Sequence, residues 1–424
     1  MEKIKLLWVT NTPMPDLLEG LGRKKIHGGS WLIEPLRLLA SDDNYDVSVA
    51  APWGEKNKKH LKIKNVDYYL IPCTWFSRMR WPNKEYSMMC KQLVKEISPD
   101  IIHIHGSEFP IGIPFTEISD AIKVLTLQGM ISVINDRYFY AGIKIPSWIG
   151  CLMPWNILEY FPMKLQHARN IWRAKSEIIQ IKNVDALSGI TKWDYVFSRL
   201  ISDKNNYYYI DCAIRREFSQ EKWDIRNIER HTILIGNMTV PLKGCHTLFK
   251  AFSILKKRYP DARIKIIGTD SFSKKYKFGY SRYLYKTAKK LNVLESIDTL
   301  GPQDTNGVVK TMLSCHTFVL SSSIENGPNI MMESEFVGLP CVCSYVGGAM
   351  QFAKPEEEAL FYRFDEPEMM AYQISRIWDD DDLAISLSEK SRARAKLFDT
   401  YEEVYKKYGD MYKDLLKKNK YTVL

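Results

Sequence analysis

The chain has 424 residues, more than one hydrophobic core ordinarily serves, so two domains are expected. At 45% hydrophobic and 26% charged residues it is of ordinary globular composition, which excludes a disordered or fibrous chain. The net charge of +10 is mild basicity, compatible with an anionic small substrate or an anionic membrane surface. No helix-turn-helix, zinc-finger or RNA-binding signature accompanies it, so nucleic acid is not an expected partner.

No apolar run approaches the about 18 residues of a membrane span. Met1-Glu2-Lys3 leads straight into a strand-like segment, so no secretory leader is expected. The eight cysteines are scattered and no second Cys or His pair has metal-ligand spacing. They are read as reduced thiols of a cytoplasmic protein that carries no metal and no bound cofactor.

Lys3 to Thr10 reads as a buried first strand. A loop rich in Pro, Gly and charge follows, ending His27-Gly28-Gly29-Ser30, and Trp31 to Ala40 has helical spacing of apolar residues. Paired glycines at a helix start let the backbone approach a ligand closely. The dinucleotide fingerprint is absent: Gly20-Leu21-Gly22 lies far from the strand and Lys25 stands where its third glycine would be. That argues against a nicotinamide dehydrogenase. Strands follow at Val47 to Ala51, at Pro99 to Gly106 and at Ile122 to Leu127, the last leading into Gln128-Gly129.

Residues 136 to 183 interleave aromatic residues, prolines and cations, and nine of the eleven tryptophans fall at or before Trp193. Amphipathic aromatics beside Lys and Arg suit a membrane interface, a lipid-linked acceptor, a sugar-stacking groove or a plain core. Reversible association with anionic membranes is expected through the first domain, with Arg78, Arg80, Arg169 and Arg173 as the cations. Asp185 to Thr191 reads as the last strand of the first half.

The second half alternates cleanly. Strands are expected at 232–235, 263–267, 297–300, 317–320, 341–344 and 360–363, with helices near 244–258, 281–291, 304–314 and 330–337. Such repetition predicts a parallel sheet covered on both faces. Two further helices close the chain near 382–397 and 401–418.

The stretch from Ser321 to Gly348 organises the rest. After the apolar run Thr317 to Leu320 comes a polar loop, Ser321-Ser322-Ser323-Ile324-Glu325-Asn326-Gly327-Pro328. Asn329 is expected as N-cap of a helix reaching Val337, which Gly338 and Pro340 stop. Strand, loop and helix N-terminus receive anions, because the first helical N–H groups are unpaired and the dipole end is positive. Carboxylates aimed at a diphosphate would repel it. Glu325 and Glu333 therefore suit neutral hydroxyls on either side of one, such as sugar and ribose hydroxyls.

Glu325 and Glu333, eight positions apart within Glu-Asn-x-Pro-Asn and followed by Gly-x-Pro and Gly-Gly, resemble the Glu-x7-Glu signature of retaining GT-B glycosyltransferases. The likeness is to the GT4 group, in its bacterial capsule and exopolysaccharide variant. It implies two Rossmann-like, doubly wound parallel-sheet domains facing a cleft. The expected division is an acceptor domain at 1–225, a nucleotide-sugar donor domain at 226–395 and a C-terminal helix at 396–424 returning to the first domain.

The resemblance also implies site residues. Glu325 and Lys243 would be catalytic, with Gln128 at a position where many members carry histidine. The donor would touch Gly28, Gly29, Asn237, Lys243, Gly268, Asn326, Gly327, Asn329, Ile330 and Glu333. Gly236-Asn237 and Lys243-Gly244 resemble a Gly-Arg and Lys-Gly clamp on the diphosphate, with Asn237 in place of the usual Arg. His105, at the end of an Asp-x-x-His-x-His strand, would face the acceptor or donor sugar, while His103 is read as core.

The implied activity is metal-independent, retaining transfer of a hexose or N-acetylhexosamine from a UDP-sugar, or else a GDP-sugar. The acceptor would be a saccharide or lipid-linked molecule in surface polysaccharide synthesis, at the inner face of the membrane. The alternatives are a related phosphorylase or epimerase, or a non-catalytic sugar-nucleotide-binding subunit.

Overall fold

Near-continuous apolar runs build the first sheet. A computed structural model of the protein describes residues 3–23, 30–118, 120–236, 238–268 and 278–422. Among these, eight strands form one sheet: β1 (Ile4–Thr10), β2 (Tyr45–Trp53), β3 (Lys59–Ile63), β4 (Val66–Pro72), β5 (Ile101–His105), β6 (Ile122–Thr126), β7 (Ala186–Gly189) and β8 (Asn206–Tyr209). Their order is β3-β4-β2-β1-β5-β6-β7-β8. Every pairing is parallel except β3 with β4, a hairpin at the edge.

Alternate residues of these strands enter opposite cores. Leu6, Trp8, Val47, Val49, Ile101 and Val124 lie in one cluster. Leu7, Val9, Ile102, Ile104 and Leu125 lie in the other. The hairpin and β8 were not legible as strands. β3 is a short Lys-His-Leu-Lys-Ile stretch, and β8 is four residues of Asn-Tyr-Tyr-Tyr. The first half of the chain thus ends on β8, not on β7 as its apolar pattern suggests.

The second sheet holds six parallel strands: β9 (Thr232–Ile235), β10 (Arg263–Ile267), β11 (Ile297–Gly301), β12 (Thr317–Leu320), β13 (Cys341–Ser344) and β14 (Leu360–Tyr362). Their order is β11-β10-β9-β12-β13-β14. Helices Cys245–Leu255, Gly279–Lys290, Thr305–Ser314 and Asn329–Val337 stand close to the expected spans. Both sheets are doubly wound and Rossmann-like, the pair of sheets that the GT-B fold comprises.

The chain forms two compact units. One holds 1–135, 169–213 and 399–424, and the other holds 136–168 and 214–398. The partition follows contacts rather than chain order, so the aromatic segment 136–168 groups with the second sheet. The eight cysteines form no disulfide, and all but Cys212 are buried.

In the first unit the C-terminal helix Tyr401–Thr422 is tied to the sheet by a buried relay. Tyr412 Oη accepts from Trp8 Nε1 at 3.0 Å and meets His103 Nδ1 at 2.6 Å. His103 Nε2 meets Thr126 Oγ1 at 2.7 Å, and Thr126 Oγ1 meets Ser188 Oγ at 2.6 Å. One chain of hydrogen bonds thereby joins the helix to β1, β5, β6 and β7. With its phenol donating to Nδ1, His103 carries its proton on Nε2 and stays neutral, burial holding its pKa down at about 3. Tyr412→Phe should strand the Trp8 donor and the His103 acceptor, costing about 1–3 kcal/mol in urea unfolding. An unchanged midpoint would show that the relay contributes nothing.

Candidate active site

In doubly wound sheets ligands gather at the carboxyl ends of the strands, where the order reverses. In the second sheet β9 stands between β10 and β12, so the loops after β9 and β12 flank the reversal. Those loops carry Lys243 and Glu325.

The two loops touch through glycines. Gly244 adopts φ +66°, and a Cβ there would lie 1.8 Å from the Ser321 carbonyl oxygen. Ser321 Oγ donates to the Lys243 carbonyl at 2.7 Å, and the Ser323 N–H donates to Leu242 O at 2.7 Å. Gly347 acts likewise from the other side. Its φ is +50°, and a Cβ would fall 2.0 Å from Glu325 O. The Gly348 N–H donates to that oxygen at 2.9 Å.

This lacing brings Lys243 Nζ to Glu325 Oε1 at 2.5 Å, and Ser322 Oγ donates to the same oxygen at 2.5 Å. Both bonds fall on Oε1, which leaves Oε2 to accept from a ligand hydroxyl. An ammonium has three donors, and Glu325 takes one of them.

The Asn329–Val337 helix follows, capped by Pro328 with no side-chain cap bond. Asn329 is therefore the first helical residue and not the expected N-cap. The Asn329 N–H donates to Gly327 O at 3.0 Å, which closes a turn just before the helix. Gly338 ends the helix in the left-handed region at φ +86°, as its place in the sequence suggests. Ile330 fills the space over Gly236, where a Cβ would approach its Cδ1 to 2.7 Å. Asn326 is buried in the loop. Gly268 ends β10 at φ +89°, and its N–H donates to Gly301 O at 2.9 Å. Gly28, Gly29 and Asn237 lie outside the described residues.

Glu333 is one turn into the helix and mostly buried. Its Oε1 accepts from Arg215 Nη2 at 2.5 Å, and Arg215 Nη1 donates to Thr305 Oγ1 at 2.8 Å. Burial raises the Glu333 pKa and the Arg215 charge opposes the rise. The sequence reading missed Arg215 as a partner of this carboxylate. Its sole signal was an Arg-Arg pair before Phe218 at the crossover between domains. Two residues on, Glu335 is fully buried and neither carboxyl oxygen has a hydrogen-bond partner in the structure. Burial drives its pKa well above the carboxylate range.

A cavity of about 610 Å³ adjoins the Glu325 loop, lined by Tyr138, Ile324, Tyr345, Gly347, Phe364 and Met369 among others. Among the described residues no three His, Cys, Asp or Glu side chains gather as a metal site.

The first sheet reverses between β1 and β5. Polar side chains converge there over Gly106, whose φ is +98°. A Cβ on it would meet Asn11 Nδ2 and Glu108 Oε2 at 2.5 Å and Gln128 Nε2 at 3.3 Å. Gln128 is thus at the carboxyl end of β6, within this polar group. His105 is not. Residues 103 and 105 share a face of β5, and His105 is buried among Trp8, His103 and Tyr408, with neither ring nitrogen bonded. Burial pulls its pKa well below the usual value. It is a core residue, which corrects the expectation that it faces a ligand.

Sequence reasoning also passed over Glu108, and it read Arg173 as a membrane-facing cation. Arg173 Nε donates to Glu108 O at 2.7 Å, and its guanidinium lies 4.6 Å from the centre of the Phe109 ring. Burial raises the Glu108 carboxyl to about 7, the Glu177 charge adds to this, and Arg173 opposes it. Glu177 is buried, accepting from Ser107 Oγ at 2.7 Å and from the Ile131 and Ser132 N–H groups at 3.0 and 2.9 Å. Glu108 directly follows Gly106-Ser107 at a strand end, which was the available signal.

Residues 216–394, which contain Lys243, Glu325 and Glu333, match the family described as Glycosyl transferases group 1. That stretch, less than half of the chain, resembles the group 1 glycosyltransferases. An uncharacterized glycosyltransferase of Haemophilus influenzae is 28% identical over 305 residues, covering 66% of this chain and 82% of that protein. A D-inositol 3-phosphate glycosyltransferase of Corynebacterium urealyticum is 25% identical over 178 residues, 41% of each chain. That match therefore spans less than half of the curated relative.

Solved glycosyltransferases share the fold at low identity. Sucrose-phosphate synthase from Thermosynechococcus elongatus superposes with a TM-score of 0.71 at 13% identity, covering 97% of this chain and 99% of that one. Anabaena HepE in complex with UDP-glucose does so at 0.66 and 12%, covering 97% and 100%. The chain thus has the GT-B fold.

The raised Glu108 pKa has a consequence for stability. The folded pKa lies above the unfolded one, so the native state binds more protons between about pH 4.5 and 7. Stability contributed by the neutral carboxyl is present below that window and is lost as pH rises through it. Glu108→Gln should flatten this loss in thermal melts taken from pH 4.5 to 7.5. A variant whose melting temperature falls with pH as steeply as wild type would contradict the assignment.

Proposed function

We propose that this chain is a group 1 glycosyltransferase, a retaining, metal-independent hexosyl- or N-acetylhexosaminyltransferase of the GT4 type. In this reading it takes a nucleotide-diphosphate sugar and delivers the sugar to a saccharide or lipid-linked acceptor in surface polysaccharide synthesis. The observation that carries the reading is the Lys243–Glu325 pair at the strand-order reversal, with Glu333 one helical turn beyond the loop.

The chemistry follows from charge. The barrier to transfer is negative charge accumulating on the diphosphate as the glycosidic bond breaks. Lys243, with two donors unspent by Glu325, and the start of the Asn329–Val337 helix are positive groups fixed beforehand, so they stabilise that charge without reorganising. Oε2 of Glu325 accepts from a hydroxyl of the departing sugar, and Glu333 accepts from the ribose. Arg215 opposes the rise in pKa that burial imposes on Glu333. In the first unit the Asn11, Glu108 and Gln128 group is the acceptor candidate.

Two relatives support the choice of substrates. HepE was solved with UDP and with UDP-glucose, which favours a UDP-sugar over a GDP-sugar. A Campylobacter jejuni relative, 30% identical over 112 residues and matched over 30% of its own length, is an N-acetylgalactosaminyltransferase whose name gives a diphospho-undecaprenol-linked substrate. That supports a lipid-linked acceptor and work at a cytoplasmic membrane face.

Ribose contacts are alike in the ground and transition states, whereas the sugar gains positive charge as its bond breaks. With EDTA present throughout, Glu333→Gln should therefore raise the donor KM and leave kcat nearly unchanged. Glu325→Gln should lower kcat by on the order of 10²-fold. A Glu325→Gln enzyme with wild-type kcat would overturn the site. Loss of wild-type turnover in EDTA, restored by Mg or Mn, would overturn metal independence. Donor binding with neither transfer nor hydrolysis would favour a non-catalytic subunit.

A further inference from the structure

The segment 148–158 exposes six large apolar side chains in eleven residues: Trp148, Ile149, Leu152, Trp155, Ile157 and Leu158. Trp155 is 67% exposed and Ile149 72%. Side chains of this kind are ordinarily spent on a core, and an exposed cluster of them marks an interaction surface.

The segment is held firmly. Ser147 caps the Trp148–Leu152 helix by accepting from the Gly150 N–H at 3.1 Å. Cys151 is fully buried beneath it. Lys164 Nζ donates to Pro146 O at 2.8 Å and lies 5.0 Å from the centre of the Trp148 ring. Asn156 Nδ2 donates to Gly150 O at 2.9 Å.

Within the same unit the helix Gly279–Lys290 packs against this segment. The Gly279 N–H donates to Leu158 O at 2.7 Å, Lys286 pairs with Glu159, and the Tyr160 and Tyr283 rings lie 6.0 Å apart. Phe278, just before the helix, is 60% exposed. Residues 144–168 and 278–290 together carry six cations, Lys144, Lys164, Arg282, Lys286, Lys289 and Lys290, and a single acid, Glu159. That acid is buried and already paired. The surface is thus a set of tryptophans and aliphatic side chains among cations with no exposed carboxylate of its own.

We propose that Trp148–Leu158, flanked by the Gly279–Lys290 helix, docks onto an anionic lipid bilayer. Amphipathic indole rings sit at the headgroup level, Ile and Leu enter the acyl boundary, and the cations meet anionic headgroups. The charge decides the occupant. A second copy of this chain would set one net positive face against another, a repulsive pairing. An anionic bilayer supplies both the apolar layer and the countercharge. This differs from the cations expected from the sequence. Arg173 is spent on Glu108 O and Asn170, and Arg78 Nη1 on Asn11 O at 3.0 Å. The docking reading concerns where the enzyme works and stands apart from the donor chemistry.

The test is flotation of the full chain with phosphatidylcholine vesicles, with and without 30% phosphatidylglycerol, and no nucleotide sugar present. Wild type should float with the anionic vesicles, and less so as salt rises. Ile149→Ser with Trp155→Ser should lower the bound fraction at least tenfold. Lys289→Glu with Lys290→Glu should do the same and remove the preference for phosphatidylglycerol. All four side chains are exposed, so the variants should keep the wild-type melting temperature. Wild type remaining in the soluble fraction would overturn the proposal, as would variants that float as well as wild type. A mass that doubles with concentration and is lost in the Ile149→Ser, Trp155→Ser variant, without flotation, would assign the face to self-association and likewise overturn it.

Discussion

The second unit depends on one close approach, the backbone of Gly244 against the carbonyl of Ser321. With a Cβ position 1.8 Å from that oxygen, no other residue fits without moving a strand end. The contact lets the loops after β9 and β12 hydrogen-bond along their length, and the Lys243–Glu325 pair is its product. An isolated surface ion pair contributes little, because two long side chains must be ordered to make it. Here both side chains leave backbones that are already fixed, Glu325 by Gly347 and Gly348 and Lys243 by Ser321. The geometry is therefore in place before a ligand arrives, which is the condition under which a charge favours a transition state.

The helix that follows assigns different environments to residues of one short stretch. Glu333 turns toward Arg215, whereas Glu335, two residues on, turns into the core, where burial drives its pKa well above the carboxylate range. A carboxylate's sequence position does not tell which environment it meets. The helical turn decides it.

Much of the second unit could be read from the chain, because β9 to β14 are short apolar runs separated by helices of regular spacing. The polar loop with Glu325, Gly327 and Pro328 was legible for the same reason, since punctuating residues stand where the chain must turn. The first unit was harder. The edge strand β3 mixes Lys and His with Leu and Ile in place of an apolar run, and β8 is Asn followed by three tyrosines. The helix beginning at Asn329 takes its start from Pro328, so the asparagine that looked like a cap is inside it. His105 looked like a site residue because it ends a strand. The period of two instead sends it with His103 into the aromatic core under Tyr408 and Tyr412. Arg215, far from Glu333 in sequence, could be joined to it only by the fold.

The central claim is that the Lys243–Glu325 pair marks a nucleotide-sugar site. Titration calorimetry with UDP, UDP-glucose, UDP-N-acetylglucosamine and GDP-mannose tests it most directly, with Lys243→Ala beside wild type. The account predicts saturable binding of at least one of these by wild type. Affinity should fall about tenfold or more in Lys243→Ala, the usual effect of losing one charge-assisted hydrogen bond. Equal affinity in the two proteins, or no binding of any of the four, would contradict it.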